Sequence, residues 1–498
     1  MKFKPTAQQQ HIVDTALTGQ DVIVQAYAGA SKTTTLTLVA EALKDKRILY
    51  VAFNKAIAVE ASEKMPSNVE CRTVHSVAYA NTPKEIINKL RGYKPNNKYL
   101  IDELGVEGFD VYDPKANDTV YISALRLVGW VNRTTLRYMQ SSDATLQMKH
   151  VYIDEDYKHL HIDVVKPMLF ECAKKLWTKY TNPKDKGVIP HDVYLKLFSL
   201  NAYHLGFDVV MLDEHQDTSG VMVNILDAQR SQKIYVGDSF QKIYSFTGSI
   251  DISQRVQGVA CYLSQSFRFG SRVAAEANII LKQLGATLPL EGFGDDSVVE
   301  DYGVEPNVII CRTNSAVLET YIEQQAIYPD KKISVSCDTT KIKSFAEGLI
   351  ELDNKGKTQH LMLRSFNSVG GFYQWLRVTD EDVDLETKNL ASICRKIGAG
   401  TIVNSLENIK DYSHPDLLIT TAHKSKGREW DVVQLGSDFP KPYTTDAEEE
   451  KRLYYVAMTR AKKVLNGIQA YKDEMSNSKQ QLTTQTRTFK ITTHKQMF

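Results

Sequence analysis

Four short runs of aliphatic and aromatic residues each stop at polar or charged residues, and this repetition limits the fold more than any other feature of the chain. Val22-Ile23-Val24 leads into "QAYAGASKT", and "RILYVAF" (47–53) into Asn54-Lys55. "FDVVML" (207–212) leads into Asp213-Glu214, and "KIYV" (233–236) into Gly237-Asp238. Runs that are apolar on successive residues suit strands buried on both faces, the situation in a parallel sheet. Parallel strands deliver their C-terminal ends to one edge, and that edge is where open α/β sheets bind ligands. The pattern predicts an α/β fold whose sheet gathers Lys32, Thr33, Asp213 and Glu214 together.

From Thr33 onward, "TTTLTLVAEALKDK" places Leu36, Val39, Ala40 and Leu43 at helical spacing. "AYAGASKT" therefore joins a strand to a helix, and such a loop turns backbone N–H groups toward an anion at the helix N-terminus. In the pattern G-x-x-x-x-G-K-[ST] the lysine reaches the β- and γ-phosphates and the hydroxyl ligands Mg²⁺. Here Ala26 and Ser31 stand at the two glycine positions, while Gly29 supplies one flexible residue. Ala26 still allows close backbone approach. The Cβ of Ser31 either crowds the phosphates or demands an unusual dihedral. On this stretch alone, a nucleotide site and an ordinary strand–turn–helix both stay open. At Asp213-Glu214, one carboxylate holding Mg²⁺ beside another polarising water stands against two solvated acids.

The 498 residues allow two to four domains, and 42% hydrophobic with 24% charged residues is a globular composition. No apolar run approaches the roughly 18 residues that cross a bilayer, and "MKFKPTAQQQHIV" holds no apolar signal core. A chain without export or membrane signal is expected in the cytoplasm. Six cysteines without a C-x-x-C pair exclude a disulfide framework and argue against a zinc or iron–sulfur site. The net charge of +1 neither favours nor excludes nucleic acid. Basic residues gather in "NKLRGYKPNNKYL" (88–100) and "AKKLWTKYTNPKDKG" (173–187), where solvated helix faces and loops are the simplest reading.

Further segments complete a set. "PTAQQQHIV" carries Gln9; "AFNKAIA" (52–58) and "TVHSVAY" (73–79) follow the second and third strand candidates; "DEHQD" spans 213–217 and "VGDSFQKIYSFTG" 236–248. "SQSFRFGS" (264–271), "TTAHKSKGREWDVV" (420–433) and "EEEKRLYYVAMTRAKKVL" (448–465) come later. In this order they resemble the Q motif and motifs I to VI of the superfamily 1 DNA helicases, in the subgroup of Rep, UvrD and PcrA. "HDVYLKLFSL" (191–200), "AFNKAIA" and "LGSDF" (435–439) look most like the helicase part of the F-box DNA helicases, in a compact bacterial or viral form.

The resemblance implies two RecA-like lobes that clamp ATP and Mg²⁺. Gln9 would read adenine, Ala28, Gly29, Ala30, Ser31, Lys32, Thr33 and Thr34 would cradle the phosphates, Phe267 would stack on the base and Glu429 would approach the ribose. Thr33 and Asp213 would hold the metal, Glu214 would be the general base and Gln241 the γ-phosphate sensor. Arg268 and Arg460 would stabilise charge on the transferring phosphoryl group, a task suited to planar, permanently charged guanidinium groups. Arg460 also continues the helical stripe of Leu453, Val456 and Ala457. Single-stranded DNA would run over Phe53, Asn54, Thr73, His75, Tyr244, Phe246, Thr421 and His423, since aromatic faces stack on any base.

The expected organisation is a first lobe (1A) at 1–80 and 190–250 with an inserted 1B at 81–189. A second lobe (2A) follows at 251–350 and 413–480, with a short inserted 2B at 351–412 and a polar, basic tail at 481–498. The implied activity is ATP-dependent translocation on single-stranded DNA and helicase action, 3′ to 5′, in replication, repair or recombination. Expected partners are single-stranded DNA, single/double-strand junctions and a single-strand-binding or recombinase protein, with the chain a monomer away from membranes. Two other readings compete: a regulator that clears recombinase filaments, and a weakly catalytic DNA-binding homologue.

Overall fold

The computed structural model describes residues 4–52, 54–91, 97–113, 118–154, 157, 165–201, 203–244, 249–250, 252, 255–294, 297–300, 304–360, 362–364, 366–378, 385–439 and 447–468. The chain forms two compact units, one of residues 1–26 and 31–263, the other of 27–30 and 264–498.

The first unit is built on a six-stranded sheet in the order 259–263, 22–26, 232–237, 209–213, 48–52, 69–73, with every pair parallel. The apolar runs fill its centre: Ile48–Ala52 and Val209–Asp213 are buried along their whole length. Each buried aliphatic side chain there contributes roughly 1.5–3 kcal/mol over an exposed one. The strand Val259–Leu263 pairs with Val22–Ala26 as an edge strand, so the first lobe extends past the expected boundary at 250. Its alternating exposure, with Ala260 and Tyr262 facing water, gives it a different signature from the central strands. Gly237 ends one central strand where a Cβ would sit 2.8 Å from the His215 backbone nitrogen, which lets the segment after Glu214 pass close by.

The stretch between the strands Val69–Thr73 and Val209–Asp213 has its own core. Leu127, Trp130 and Val131 on helix Ala124–Gln140 pack with Leu169, Cys172 and Leu176 on helix Val165–Thr181. The basic segment 173–187 is spent locally: Lys179 pairs with Glu103 and with Asp185, and the buried Lys89 ammonium donates to the carbonyls of Lys179, Tyr180 and Asn182 at 2.8, 3.0 and 2.8 Å. A cation suits the carbonyl end of a helix.

The second unit repeats the design. Its six strands run in the order 298–300, 461–466, 430–435, 308–311, 417–421, 333–336, again all parallel. The expected short insertion does not stand apart. Phe372, Leu390, Ala391, Cys394 and Ile402, from the helices Val369–Val378, Leu385–Ile397 and Ala399–Asn408, share one core with Ile309, Val317, Leu318 and Phe345. These amphipathic helices bury their apolar faces on the lobe itself, so the stretch is a helical layer of that lobe. Two parallel-sheet units of this kind are RecA-like lobes. Among the described residues no helix is long and apolar enough to cross a membrane.

Candidate active site

In the first unit, Ser31 precedes helix Lys32–Ala42 with φ 55 and ψ 46, the left-handed conformation. The residue that replaces a glycine thus takes the glycine's backbone shape. The first N–H groups of a helix lack intrahelical acceptors, so the turn from Lys32 onward is suited to an anion. The Lys32 ammonium meets Glu214 Oε1 at 2.5 Å. Burial opposes the lysine's charge, but Glu214 and then Asp213 outweigh it and hold its pKa above the ordinary value. Glu214 also has φ 55, a turn that places its carboxylate at Lys32.

Asp213, at the end of its strand, is 6% exposed. Its Oδ2 accepts from the Tyr50 hydroxyl at 2.6 Å and its Oδ1 from the Glu214 N–H at 2.9 Å. Burial and then the Glu214 charge push its carboxyl above the usual carboxylate range. A cation at this place would relieve both effects.

A hydrogen-bonded chain leads on from this pair. Gln216 Nε2 donates to Glu214 Oε2 at 2.5 Å, and Gln216 Oε1 accepts from the Asp238 N–H at 3.0 Å. Asp238 Oδ2 accepts from Gln241 Nε2 at 2.8 Å, and its Oδ1 from Gln25 Nε2 at 3.1 Å. Lys32 and Gln241 are therefore joined through Glu214, Gln216 and Asp238, with Gln216 and Asp238 wholly buried.

Gln9 is held by local contacts within the first unit. It is wholly buried; its Oε1 accepts from the Thr6 N–H at 3.0 Å, closing a capping box, and its Nε2 donates to Thr35 Oγ1 at 3.2 Å. It ties helix Ala7–Leu17 to the helix that follows the loop.

In the second unit, Gly29 accepts from the Phe267 N–H at 2.8 Å, and a Cβ at Gly29 would lie 2.7 Å from Arg268 Cβ. Only glycine fits there. Ala28 donates its N–H to the Tyr455 hydroxyl at 3.1 Å, and the Ala30 N–H closes a turn onto the Tyr27 carbonyl. The Phe267 ring lies 5.1 Å from that of Phe293. Arg268 reaches Glu429 through Nε at 2.7 Å and the Thr459 carbonyl through Nη1 at 2.9 Å. Glu429 is thus an ion-pair partner of Arg268. Arg460 comes two residues after helix Ala447–Met458 ends, not on the helix, and is 2% exposed. Its Nε donates to the Val456 carbonyl at 2.8 Å and its Nη2 to Thr459 Oγ1 at 3.3 Å, so both arginines converge on Thr459.

The residues expected along a DNA path sit where strands turn into helices. Asn54 caps helix Lys55–Lys64 by accepting from the Ile57 N–H at 3.0 Å, and Thr73 caps Val74–Asn81 by accepting from Ser76 at 3.1 Å. Thr421 caps Ala422–Ser425, accepting from Lys424 at 3.4 Å. His75 Nδ1 is 3.2 Å from the Tyr194 hydroxyl, and burial holds its pKa below the ordinary value. Tyr244 is half-buried, and burial pushes its phenol up. His423 and Thr421 line a cavity of about 630 Å³ in the second unit, with Arg312, Lys341, Lys424 and Asn389. Phe53 and Phe246 lie outside the described residues, as do Thr247 and the segment 469–498.

The UvrD-like helicase C-terminal domain matches residues 125–472, more than half of the chain. The chain belongs to the UvrD-like helicases. An AAA domain matches residues 4–112, the part that carries the strand–turn–helix around Lys32. F-box DNA helicase protein 1 of Schizosaccharomyces pombe is 29% identical over 92% of this chain, and F-box DNA helicase 1 of Gallus gallus is 28% identical over 93%. The chain spans about half the length of these curated relatives, 57% and 49% respectively.

Membership of this helicase family implies nucleotide use, and the site would fit a nucleotide with Mg²⁺. Mg²⁺ takes most of its ligands from phosphates and water, so the hydroxyl of Thr33 and the carboxylate of Asp213 would be a sufficient protein share. The Asp213 carboxylate, 6% exposed at the strand end with its Oδ1 on the Glu214 N–H, is the observation that favours a cation there. Sequence reasoning missed Tyr50, Gln216 and Tyr455, and placed Asp238 at the sheet edge without giving it a role. Gln216 carried a faint signal, as the one amide among the acids of "DEHQD".

Proposed function

We propose that this chain is an ATP-dependent motor on single-stranded DNA with helicase activity. The observation that carries the reading is the chain of hydrogen bonds, partly exposed at Lys32 and Glu214 and buried from Gln216 onward, from Lys32 through Glu214, Gln216 and Asp238 to Gln241. It links the residue that would hold phosphate to the segment that would touch DNA. Thr33 and Asp213 would hold Mg²⁺, which supplies charge neutralisation on the phosphate oxygens. Lys32 rests on Glu214, so a nucleotide phosphate that draws the ammonium away frees this carboxylate to accept a proton from water. Gln241, fixed by Asp238, would sense the γ-phosphate. Arg268 and Arg460 would neutralise transition-state charge, and Phe267 with Phe293 would flank the base.

Against a weakly catalytic homologue stands Ser31, whose left-handed backbone preserves the loop shape that its side chain puts in question. Direction 3′ to 5′ rests on the family likeness. Steady-state ATP hydrolysis by the purified chain, with and without oligo-dT, tests the proposal. DNA-stimulated turnover supports it, and no hydrolysis in either condition sinks it.

A further inference from the structure

Tyr50 sits wholly buried in the middle of strand Ile48–Ala52, in register with Cys71 on one neighbouring strand and Met211 on the other. Asp213 stands two residues beyond Met211, about 6.6 Å further along at the ordinary strand rise. A tyrosine side chain spans that distance, fills the buried layer with its ring and carries a neutral donor at its tip. Its hydroxyl donates to Asp213 Oδ2 at 2.6 Å, while Oδ1 takes the Glu214 N–H at 2.9 Å. One donor on each oxygen fixes the plane of the carboxylate, because turning it about its Cβ–Cγ bond breaks both contacts. An ionised carboxylate offers about four lone-pair sites, and these two donors take two of them. A buried hydroxyl costs stability unless it is hydrogen-bonded, and this one spends its bond on a carboxylate that is itself 6% exposed.

We propose that Tyr50 is a positioning residue for the divalent cation: it holds the Asp213 carboxylate in one orientation, ready for Mg²⁺. The inference deepens the motor reading and rests on it. Tyr50 has no exposed surface, so it meets neither nucleotide nor water and acts only through Asp213. Two effects of its hydroxyl oppose each other. A donor on Oδ2 draws charge from the carboxylate and so weakens its pull on a cation. The same donor orders the carboxylate in advance, so that metal binding does not have to. Removing an outer hydrogen-bond partner of a metal ligand ordinarily costs about 10- to 100-fold in metal affinity, so the ordering effect wins.

The test compares the full native chain with Tyr50→Phe, which keeps the ring and removes the hydroxyl, and with Cys71→Ala, which trims the adjoining position and leaves the Asp213 bond alone. Mn²⁺ binding to the chain–ADP complex is read by electron paramagnetic resonance, ADP affinity in EDTA by calorimetry, and folding by thermal melting. The Mg²⁺ dependence of ATP hydrolysis is measured with and without oligo-dT. In Tyr50→Phe the Mn²⁺ Kd is expected to rise about 10- to 100-fold, and the Mg²⁺ needed for half-maximal turnover to rise with it. Turnover at saturating Mg²⁺ and metal-free ADP affinity should stay near their native values, and Cys71→Ala should keep the native Mn²⁺ Kd. A purely structural tyrosine would lower the melting temperature and leave the Mn²⁺ Kd native or tighter, which overturns the proposal while leaving the motor reading intact. Equal weakening in Cys71→Ala would make the effect one of packing and overturns it too. A native chain that hydrolyses no ATP in either condition overturns the motor reading, and the role of Tyr50 with it.

Discussion

Ser31 and Glu214 hold the same left-handed backbone, φ 55 with ψ 46 and φ 55 with ψ 47, and they are the only non-glycine residues with positive φ among the described residues. One shapes the phosphate loop; the other aims the carboxylate that meets Lys32. Non-glycine residues in such conformations cluster at functional sites, where the surrounding structure enforces them.

Ser31→Gly should relieve this strain, partly offset by the greater freedom of glycine in the unfolded chain. We expect an active enzyme with similar or modestly tighter ATP binding and a stability change of at most about 1 kcal/mol. Melting curves and ATP titration of both forms check it. Activity that rises by orders of magnitude in the glycine form would mean that the native loop is disabled.

Lys32→Ala and Glu214→Gln should fail in different ways. The first removes the cation for the β- and γ-phosphates and its ion pair with Glu214, so ATP binding and hydrolysis should both disappear in a folded protein. The second should bind Mg²⁺-ATP and turn over about 10²- to 10⁴-fold more slowly, the usual effect of losing a general base. Nucleotide binding by calorimetry separates the two. Near-normal turnover of Glu214→Gln at saturating ATP would place the base elsewhere.

Gln216→Leu removes an acceptor from the buried Asp238 N–H and a donor from Glu214. Leaving such groups unmatched costs about 1–3 kcal/mol. Melting should reflect that loss, and single-stranded DNA should stimulate hydrolysis less than in the native chain. Unchanged stimulation would show that the buried chain is scaffolding only.

Asp213→Asn gives a pH signature. The folded carboxyl titrates above its unfolded value, because burial and Glu214 disfavour its charge. A raised folded pKa contributes stability that is complete below the unfolded pKa and is lost as pH rises through the folded one. Without nucleotide, the melting temperature of the native chain should therefore fall relative to Asp213→Asn as pH rises from about 4, the ordinary carboxylate value, through the raised folded one, and Mg²⁺-ATP should narrow the gap. A gap independent of pH would contradict the buried charge.

The sheet edge was legible because apolar runs ending in Lys32, Asp213 and Asp238 report burial and polarity together. Tyr50 was not, since a tyrosine inside "RILYVAF" reads as apolar filling until its hydroxyl is seen on Asp213. Asn54, Thr73 and Thr421 were read for their polar groups, and those groups also start helices, because the edge that binds ligands is where strands turn into helices. Arg460 fits the spacing of a helical stripe, yet the helix stops at Met458, and periodicity does not show such a stop. The insertion at 351–412 was visible as amphipathic helices, but spacing names a buried face without naming what covers it. The edge strand Val259–Leu263 escaped because its exposed half dilutes the apolar signal.

The pairing of Val22–Ala26 with Gln232–Gly237 on one side and Val259–Leu263 on the other carries a consequence for synthesis. The strand that leads into the phosphate loop leaves the ribosome early, but both of its neighbours are translated more than two hundred residues later. At about 5–20 residues per second, it waits on the order of ten seconds or longer with its hydrogen-bonding edges unmet. Nascent chains stalled before residue 232 should therefore expose Val22–Ala26 to chaperones and proteases, and release of the stall should bury it.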